Sequence, residues 1–212
     1  MGVEWARRHL VALLIAAGAA GTMAAASKAA SASATAADSF VAELAQAIVA
    51  ALRDPSLPEP KRLDRVDAVT TGAFDLERTA RIALGRYWKA AAEAQRREFT
   101  SLFRRYVLTS YGRRFRAYAD RTFRVTGARP AGEDMVVGSL VEGGPTPIRL
   151  DWRLAPAGDG WRVLDVAVEG VSLLVTFRNE FAAVIERNGG QVEGLLVELR
   201  QRVAAERALL TG

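Results

Sequence analysis

The sequence IRLDWRL, at residues 148–154, decides the fold class. Its apolar residues Ile148, Leu150, Trp152 and Leu154 alternate with three charged residues. A period of two is typical of a β-strand with one covered face, whereas a helix would place apolar residues three and four positions apart. We therefore predict a strand that turns an apolar face to the core and a charged face to solvent.

Three further extended segments surround this strand. Residues 123–127 and 134–142 precede it, and residues 164–168 follow it with their aliphatic side chains on one side. Gly143-Gly144-Pro145 and Gly158-Asp159-Gly160 separate consecutive segments. Short glycine-rich turns of this kind join antiparallel neighbours, so the pattern predicts a four-stranded antiparallel meander.

Helical spacing of apolar residues occurs on both sides of the predicted sheet. Asp38, Asp75 and Ser172 stand where helix N-caps are expected. The expected helices are residues 39–52, 61–71, 76–84, 93–111, 173–187 and 192–203. We therefore predict an α+β fold in which helices before and after the sheet cover one of its faces.

Residues 1–36 have the organisation of a secretory signal peptide. Arg7 and Arg8 precede an apolar segment, and small residues then offer A-x-A sites for cleavage after residue 26, 34 or 36. We expect Sec-type export to the periplasm and a single soluble domain over 37–212. An uncleaved transmembrane anchor is the alternative, but residues 16–26 are mostly alanine and glycine and are weakly hydrophobic for a span.

Charge and missing residue types exclude several classes of function. Without residues 1–36 the chain has 26 basic and 23 acidic residues, a surplus of +3 that is small for a nucleic-acid partner. The sequence has no cysteine, and its one histidine is His9. Thiol or histidine nucleophile systems and histidine-ligated metals are therefore excluded from the mature domain, and we expect no catalytic residue, metal or cofactor.

Two sets of charged residues are candidates for a functional role, one in acid/base catalysis and one in contact with lipid phosphate. Asp151 and Asp165 could form an acid/base pair on adjacent strands, but their neighbours Arg149, Arg153 and Arg162 favour surface ion pairs.

The second set is a row of arginines on the long helix. Arg97, Arg104, Arg105, Arg113 and Arg114 lie away from its apolar stripe. They could contact lipid phosphate, although a solvated polar face is the favoured interpretation.

The sequence WRVLDVAVEGVSL, at residues 161–173, resembles a run shared by MlaC-type proteins. These are periplasmic phospholipid carriers of the lipid-asymmetry pathway, also called the toluene-tolerance family. The resemblance continues in FRNEF at 177–181, IERNGG at 185–190, FDL at 74–76 and LGRYW at 84–88. It covers about residues 38–203. One departure is Ala91-Ala92, where the family usually has serine or threonine before the long helix, and it is expected to cost about 1 kcal/mol of capping.

The resemblance implies an α+β fold similar to the nuclear-transport-factor type (NTF2-like), with acyl chains between helices and sheet. It also implies a non-enzymatic carrier that exchanges phospholipid with an outer-membrane lipoprotein complex and an inner-membrane ABC transporter complex. The inward apolar positions expected to contact acyl chains are Phe103, Tyr106, Val107, Leu150, Trp152, Val166, Val168, Val171, Leu174 and Phe177.

Three other functions stay open from the sequence. The chain could carry a different lipid, such as a hopanoid. It could be an enzyme on a similar fold that uses Asp151 or Asp165. It could also be a membrane-anchored structural protein.

Overall fold

The computed structural model describes residues 31–117 and 120–211. Side chains are described throughout these ranges except at residues 111–117 and 207–211. The helices before the sheet are α1 (Ser31–Arg53), α2 (Glu59–Ala73), α3 (Leu76–Leu84), α4 (Tyr87–Ala90) and α5 (Glu93–Ala117). The strands are β1 (Thr122–Ala131), β2 (Asp134–Glu142), β3 (Ile148–Ala157), β4 (Gly160–Val168) and β5 (Val171–Ser172). Helices α6 (Leu173–Arg187) and α7 (Val192–Thr211) follow.

The sheet is an antiparallel meander in the order β1-β2-β3-β4-β5, which confirms the predicted class and topology. It has five strands instead of the predicted four. The additional strand β5 has two residues, and it pairs through Ala167 with Ser172 and through Val168 with Val171. Two residues are too few to give a period of two, so the sequence pattern could not reveal this strand.

A bulge in β4 corrects the predicted strand face. Arg153 pairs with Asp165 and Leu154 pairs with Val163, so Leu164 is an extra residue without a partner on β3. The pleat therefore shifts by one position, and Val163 instead of Leu164 shares a face with Val166.

One face of the sheet packs under α1 and α2. Its fully covered residues include Val137, Leu154 and Val163, and Val41 of α1 is equally inaccessible to solvent. We call this packing unit the sheet cluster. Its buried members are Ala37, Val41, Leu44, Ala73, Met135, Val137, Trp152, Leu154 and Val163.

Helices α3, α5, α6 and α7 form a second packing unit, the helical cluster. Its centre is a set of phenylalanines on α5 and α6, in which the rings of Phe99 and Phe181 meet edge to face at 5.6 Å. Its fully or almost fully covered residues are Ala80, Ala83, Leu84, Phe99, Phe181, Val184, Ile185, Leu195, Leu196 and Leu199. Ala51, Leu52 and Val66 form a smaller cluster where α1 meets α2.

Side-chain caps set two helix starts as the sequence predicts. Asp75 accepts a hydrogen bond from the Arg78 amide at 3.0 Å, and Ser172 accepts one from the Val175 amide at 3.0 Å. The third predicted cap is wrong, because α1 already includes Asp38. Alanine and serine dominate the residues before Asp38, and the strong helix propensity of alanine extends α1 toward the N-terminus.

Among the described residues, one helix is long and apolar enough to cross a membrane, judged by length and composition alone, and this helix is α1. One third of its most apolar window is buried, and Ala37, Val41 and Leu44 pack into the sheet cluster. Of the predicted signal segment, residues 1–30 lie outside the described residues, and residues 31–36 belong to α1.

Candidate functional site

Five of the ten predicted contact residues lie in or against the helical cluster. Phe103, Leu174 and Phe177 are buried in it, and Tyr106 and Val107 pack against it. The rings of Phe103 and Phe177 meet edge to face at 5.3 Å, a favourable geometry for aromatic pairs. These five residues therefore share one apolar region, and in this structure they fill it with their own side chains.

Three others belong to the sheet cluster. Trp152 is buried there, and Leu150 and Val166 pack against it. The Trp152 Nε1 donates a hydrogen bond to the hydroxyl of Ser139 at 2.9 Å, and the ring of Phe123 meets the indole nearly edge on at 6.2 Å. The one polar atom of this indole is satisfied inside the sheet, which leaves its apolar surface for packing.

The last two predicted residues lie at the sheet margin. Val168 is half-buried and belongs to neither cluster, and Val171 in β5 is 60% exposed. The ten residues therefore divide between the helical cluster, the sheet cluster and an exposed edge. The sequence gives the apolar face of each element, but it cannot tell which faces meet.

A charged network borders the helical cluster. Arg202 donates to Glu180 Oε1 at 2.7 Å and to the Tyr106 hydroxyl at 3.1 Å, and its guanidinium lies 5.7 Å from the Tyr106 ring centre. Burial lowers the pKa of Arg202, but the hydrogen bonds with Glu180 and Tyr106 outweigh burial and hold that pKa above its ordinary value. The network fixes the Tyr106 hydroxyl at the edge of the cluster.

The two candidate carboxylates make structural contacts. Asp151 pairs with Arg149 at 2.8 Å, as expected for the charged face of β3. Asp165 does not form the expected surface pair. Its two oxygens accept from the Ser172 hydroxyl at 2.5 Å and from the Leu174 amide at 3.0 Å, so it fixes the start of α6.

Two arginines of the row on α5 make local contacts, and Arg105 is exposed. Arg97 pairs with Glu93, and Arg104 pairs with Asp67 of α2 at 3.4 Å. Arg113 and Arg114 lie outside the described side chains. In the part of the chain that the structure covers, no group of three or more acidic, histidine or cysteine residues could hold a metal ion.

Two adjacent surface clefts border the second half of α1, at positions where the sequence predicts no site. The first cleft, of about 510 Å³, lies between α1 and α2 and is lined by Ala47, Val69 and others. The second cleft, of about 300 Å³, lies between α1 and the start of β1 and is lined by Val49, Phe123 and others. Both clefts are shallow and largely open to solvent, so neither encloses a ligand as a buried pocket does.

Ala50 and Arg53 line both clefts. Ala47 and Ala50 are exposed and leave room beside the helix, but exposed alanines are common on helices, so the sequence contains no signal for the clefts. At the end of the first cleft Arg65 pairs with Asp54. Hydrogen bonds from Ser56, joined by one from Arg65, hold the pKa of Asp54 below its ordinary value, so this carboxylate is charged at neutral pH.

Comparison with known proteins gives a family match over most of the chain. A family model described as "MlaC protein" matches residues 42–201. The toluene tolerance protein ttg2D of Pseudomonas putida is 27% identical over 110 residues, covering 51% of each chain. The intermembrane phospholipid transport system binding protein MlaC of Haemophilus influenzae is 23% identical over 133 residues, covering 60% of this chain and 61% of that protein. The chain thus spans between half and about three fifths of these two relatives.

A solved structure extends the likeness to the whole fold. A phospholipid-binding protein from Ralstonia solanacearum, solved in complex with a phospholipid, superposes with a TM-score of 0.73 and is 29% identical. The superposition covers 80% of this chain and 98% of that one.

Proposed function

The chain belongs to the MlaC family, and we propose that it is a periplasmic carrier that binds a phospholipid by its acyl chains and shuttles it between membranes. The observation that carries this proposal is the likeness of the whole fold to a protein solved with a phospholipid bound. The names of two further relatives, one a phospholipid transport binding protein, agree with it.

The energetics of lipid transfer explain why a carrier of this kind is needed. Two acyl chains contain roughly 30 methylenes, and exposing them to water costs on the order of 20 kcal/mol or more at about 0.8 kcal/mol each. An apolar site removes most of this cost, so carrier and membrane become comparable hosts for the lipid. The direction of transfer then depends on which partner the carrier contacts, and no bond in the lipid needs to change.

The ten predicted residues remain our candidates for contacts with acyl chains. Eight of them lie in or against the two clusters, whose side chains pack closely together in this structure. Lipid therefore needs a path into the domain, which requires these packed side chains to separate. Val168 and Val171 would contact lipid only at the sheet margin.

The proposal includes export and delivery to partner complexes. Residues 1–36 act as the signal peptide, residues 37–212 contain the carrier domain, and its partners are an inner-membrane ABC transporter complex and an outer-membrane lipoprotein complex. Of the three candidate cleavage positions, residues 34 and 36 lie within α1, so cleavage after residue 26 leaves the described helix intact.

Lipid analysis of the purified protein tests this function. Protein isolated from the periplasm, washed and extracted with organic solvent should release phospholipid in an amount approaching one molecule per chain, measured by mass spectrometry and total phosphorus. A hopanoid in the extract without phospholipid would favour the other-lipid alternative. An extract without any lipid would contradict the carrier function.

A further inference from the structure

The two packing clusters meet where α2 contacts α5. Helix α2 contributes Ala73 to the sheet cluster, and α5 contributes Phe99 and Phe103 to the helical cluster. We call this contact the α2–α5 seam. The predicted lipid contacts are divided between the two clusters, so a ligand that touches both sets requires the clusters to move apart along a contact of this kind.

The seam combines one small apolar contact with one polar contact. Leu108 of α5 packs against the smaller cluster formed where α1 meets α2. About one turn earlier on the same helix, Arg104 pairs with the Asp67 carboxylate at 3.4 Å and donates a hydrogen bond to the Thr71 hydroxyl at 3.0 Å. Arg104 therefore joins α5 to α2 at two points.

The Asp67–Arg104 pair is poorly satisfied. Of the three buried side-chain atoms that lack a hydrogen-bond partner in the described part of the chain, two are Arg104 Nε and Asp67 Oδ1. The distance of 3.4 Å is also longer than the roughly 2.7–2.9 Å of a good hydrogen bond between charged groups. Since a buried polar atom without a partner is destabilising, opening the seam lets water reach both atoms and offsets part of the cost of breaking the Leu108 contact.

The clusters are joined more firmly on the side of β4. The Asp165 carboxylate accepts a hydrogen bond from the Leu174 amide at 3.0 Å, which ties the start of α6 to the sheet. The Asp75 amide donates to the Val163 carbonyl at 3.0 Å and ties the start of α3 to the same strand. Of these contacts between the clusters, the α2–α5 seam is therefore the one that breaks most readily.

We propose that the Asp67–Arg104 pair is a latch between α2 and α5, and that its breaking limits the rate at which phospholipid enters and leaves the domain. This inference rests on the proposed carrier function and adds the control of access to its site. Arg104 acts here through α2 and does not contact the lipid. Both side chains of the pair are 29% exposed, and a pair of this exposure holds weakly enough to open and close repeatedly.

Replacement of Arg104 by methionine tests the latch by removing it. Delipidated protein is mixed with phosphatidylglycerol vesicles that contain a self-quenched phospholipid with a fluorescent acyl chain, and loading is followed as a rise in emission. Arg104→Met should raise the loading rate constant roughly threefold to tenfold, because the attraction across the seam is lost and Asp67 is left without its cation. Arg97→Met is the matched control, since Arg97 pairs with Glu93 within α5 and should keep the wild-type rate. The amount of lipid bound at saturation should not change in either variant.

A covalent link across the seam tests the latch in the opposite direction. The chain has no cysteine, so an engineered pair of cysteines reacts alone. Asp67→Cys combined with Arg104→Cys and joined by a short bismaleimide should reduce loading to the background of vesicles without protein, whereas the same variant before linking should load faster than the wild type. Glu93→Cys combined with Arg97→Cys places the link within α5, and this control should load at the wild-type rate.

These results separate the latch from the function. If the wild-type protein takes up no phospholipid, the carrier function itself fails. If it takes up phospholipid, and either the folded Arg104→Met variant or the protein linked across the seam loads at the wild-type rate, the latch is overturned while the function stands. Faster loading without Arg104 and blocked loading with the link, with both controls unchanged, support the latch. Thermal unfolding establishes that each variant is folded, and the linked protein decides the matter if Arg104→Met is unstable.

Discussion

Glu169 has a backbone conformation that glycine usually takes. Its φ is 50° and that of Gly170 is 79°, so the two residues form the tight turn from β4 to β5. The Glu169 carboxylate accepts a hydrogen bond from the Arg149 amide at 2.5 Å, and its own amide donates to the Arg149 carbonyl at 3.0 Å. The side chain thus provides the acceptor that a further residue of β4 would provide, which explains a glutamate at a strained position.

We therefore expect Glu169→Ala to lower the free energy of unfolding by about 1 kcal/mol, since the strain remains and the hydrogen bond is lost. Urea unfolding followed by circular dichroism measures this change. Glu133→Ala, in the exposed turn between β1 and β2, is the control and should change it by less than about 0.5 kcal/mol. Equal effects of the two substitutions would contradict the role given to Glu169.

Substitutions at Asp151 and Asp165 test whether these carboxylates have a structural or a catalytic role. Because Asp165 fixes the start of α6, Asp165→Ala should cost about 1–2 kcal/mol of stability, whereas Asp151→Ala removes a surface ion pair and should cost less than about 1 kcal/mol. Both variants should retain the wild-type amount of co-purified lipid.

Unfolding measurements and lipid extraction on the two single variants and the double variant check this prediction. A double variant that is folded and holds lipid, yet has lost its biological function in a complementation assay, would favour the enzyme alternative.

At the scale of elements, the sequence predicts both the start of α5 and the incomplete cap found there. The helix begins at Glu93, and the Ala92 amide donates to Gln95 Oε1 at 3.1 Å. This contact is one half of a capping box, and the half that a serine hydroxyl would supply is missing. Ala92→Ser should therefore stabilise the protein by about 1 kcal/mol, whereas Ala94→Ser, inside the first turn, should not stabilise it. Thermal unfolding of the two variants decides, and a gain from Ala94→Ser equal to that from Ala92→Ser would refute the capping explanation.

An ion pair between α5 and α7 gives the stability a predictable pH dependence. A hydrogen bond from Arg200, at 2.7 Å, holds the pKa of Glu98 below its ordinary value of 4.5. An acid with a lowered pKa contributes stability above its unfolded pKa and loses it as the pH falls through the folded pKa. The contribution is small because both side chains are substantially exposed.

We expect Glu98→Gln to unfold at a lower temperature than the wild type at pH 7 and to lose that difference as the pH falls below the ordinary glutamate pKa of 4.5. Differential scanning calorimetry over this pH range measures it. Glu77→Gln, an exposed glutamate on α3, is the control. A difference between Glu98→Gln and the wild type that stays constant with pH would contradict the role of this pair.

An element can be predicted from the sequence when its hydrophobic pattern repeats several times or when a capping residue marks its start. The strand with IRLDWRL and the helices capped by Asp75 and Ser172 were predicted because alternation or a cap defined them. Strand β5 has two residues and helix α4 has four, so each spans only about one period of its structure, and a period must recur before it can be recognised. Helix α5 continues past Gly112 to Ala117, although glycine has a low helix propensity, so the end predicted at Tyr111 is too early.

At the scale of the whole molecule, the apolar residues divide between two clusters, and this division was not predictable. Each amphipathic element shows which of its faces is buried, but many pairings of such faces satisfy the same pattern. Phe103 and Trp152 both have inward positions, yet one lies in the helical cluster and the other in the sheet cluster. The clefts could not be predicted for a related reason. A cleft is a space between elements, and in the sequence an alanine beside such a space looks the same as an alanine packed against a neighbour.

The tryptophans offer a way to locate bound lipid relative to the two clusters. Trp152 is buried in the sheet cluster and Trp88 packs against the helical cluster. If acyl chains lie against the sheet cluster, a phospholipid with brominated acyl chains should quench the fluorescence of Trp152 and of Trp161, which packs against the same cluster, and leave Trp88 largely unaffected. Trp152→Phe should therefore remove much of the quenching that loading produces, whereas Trp88→Phe should retain it. Quenching that disappears with Trp88→Phe instead would place the chains in the helical cluster, among Phe103, Tyr106 and Phe177, and would show that the four helices separate to admit them.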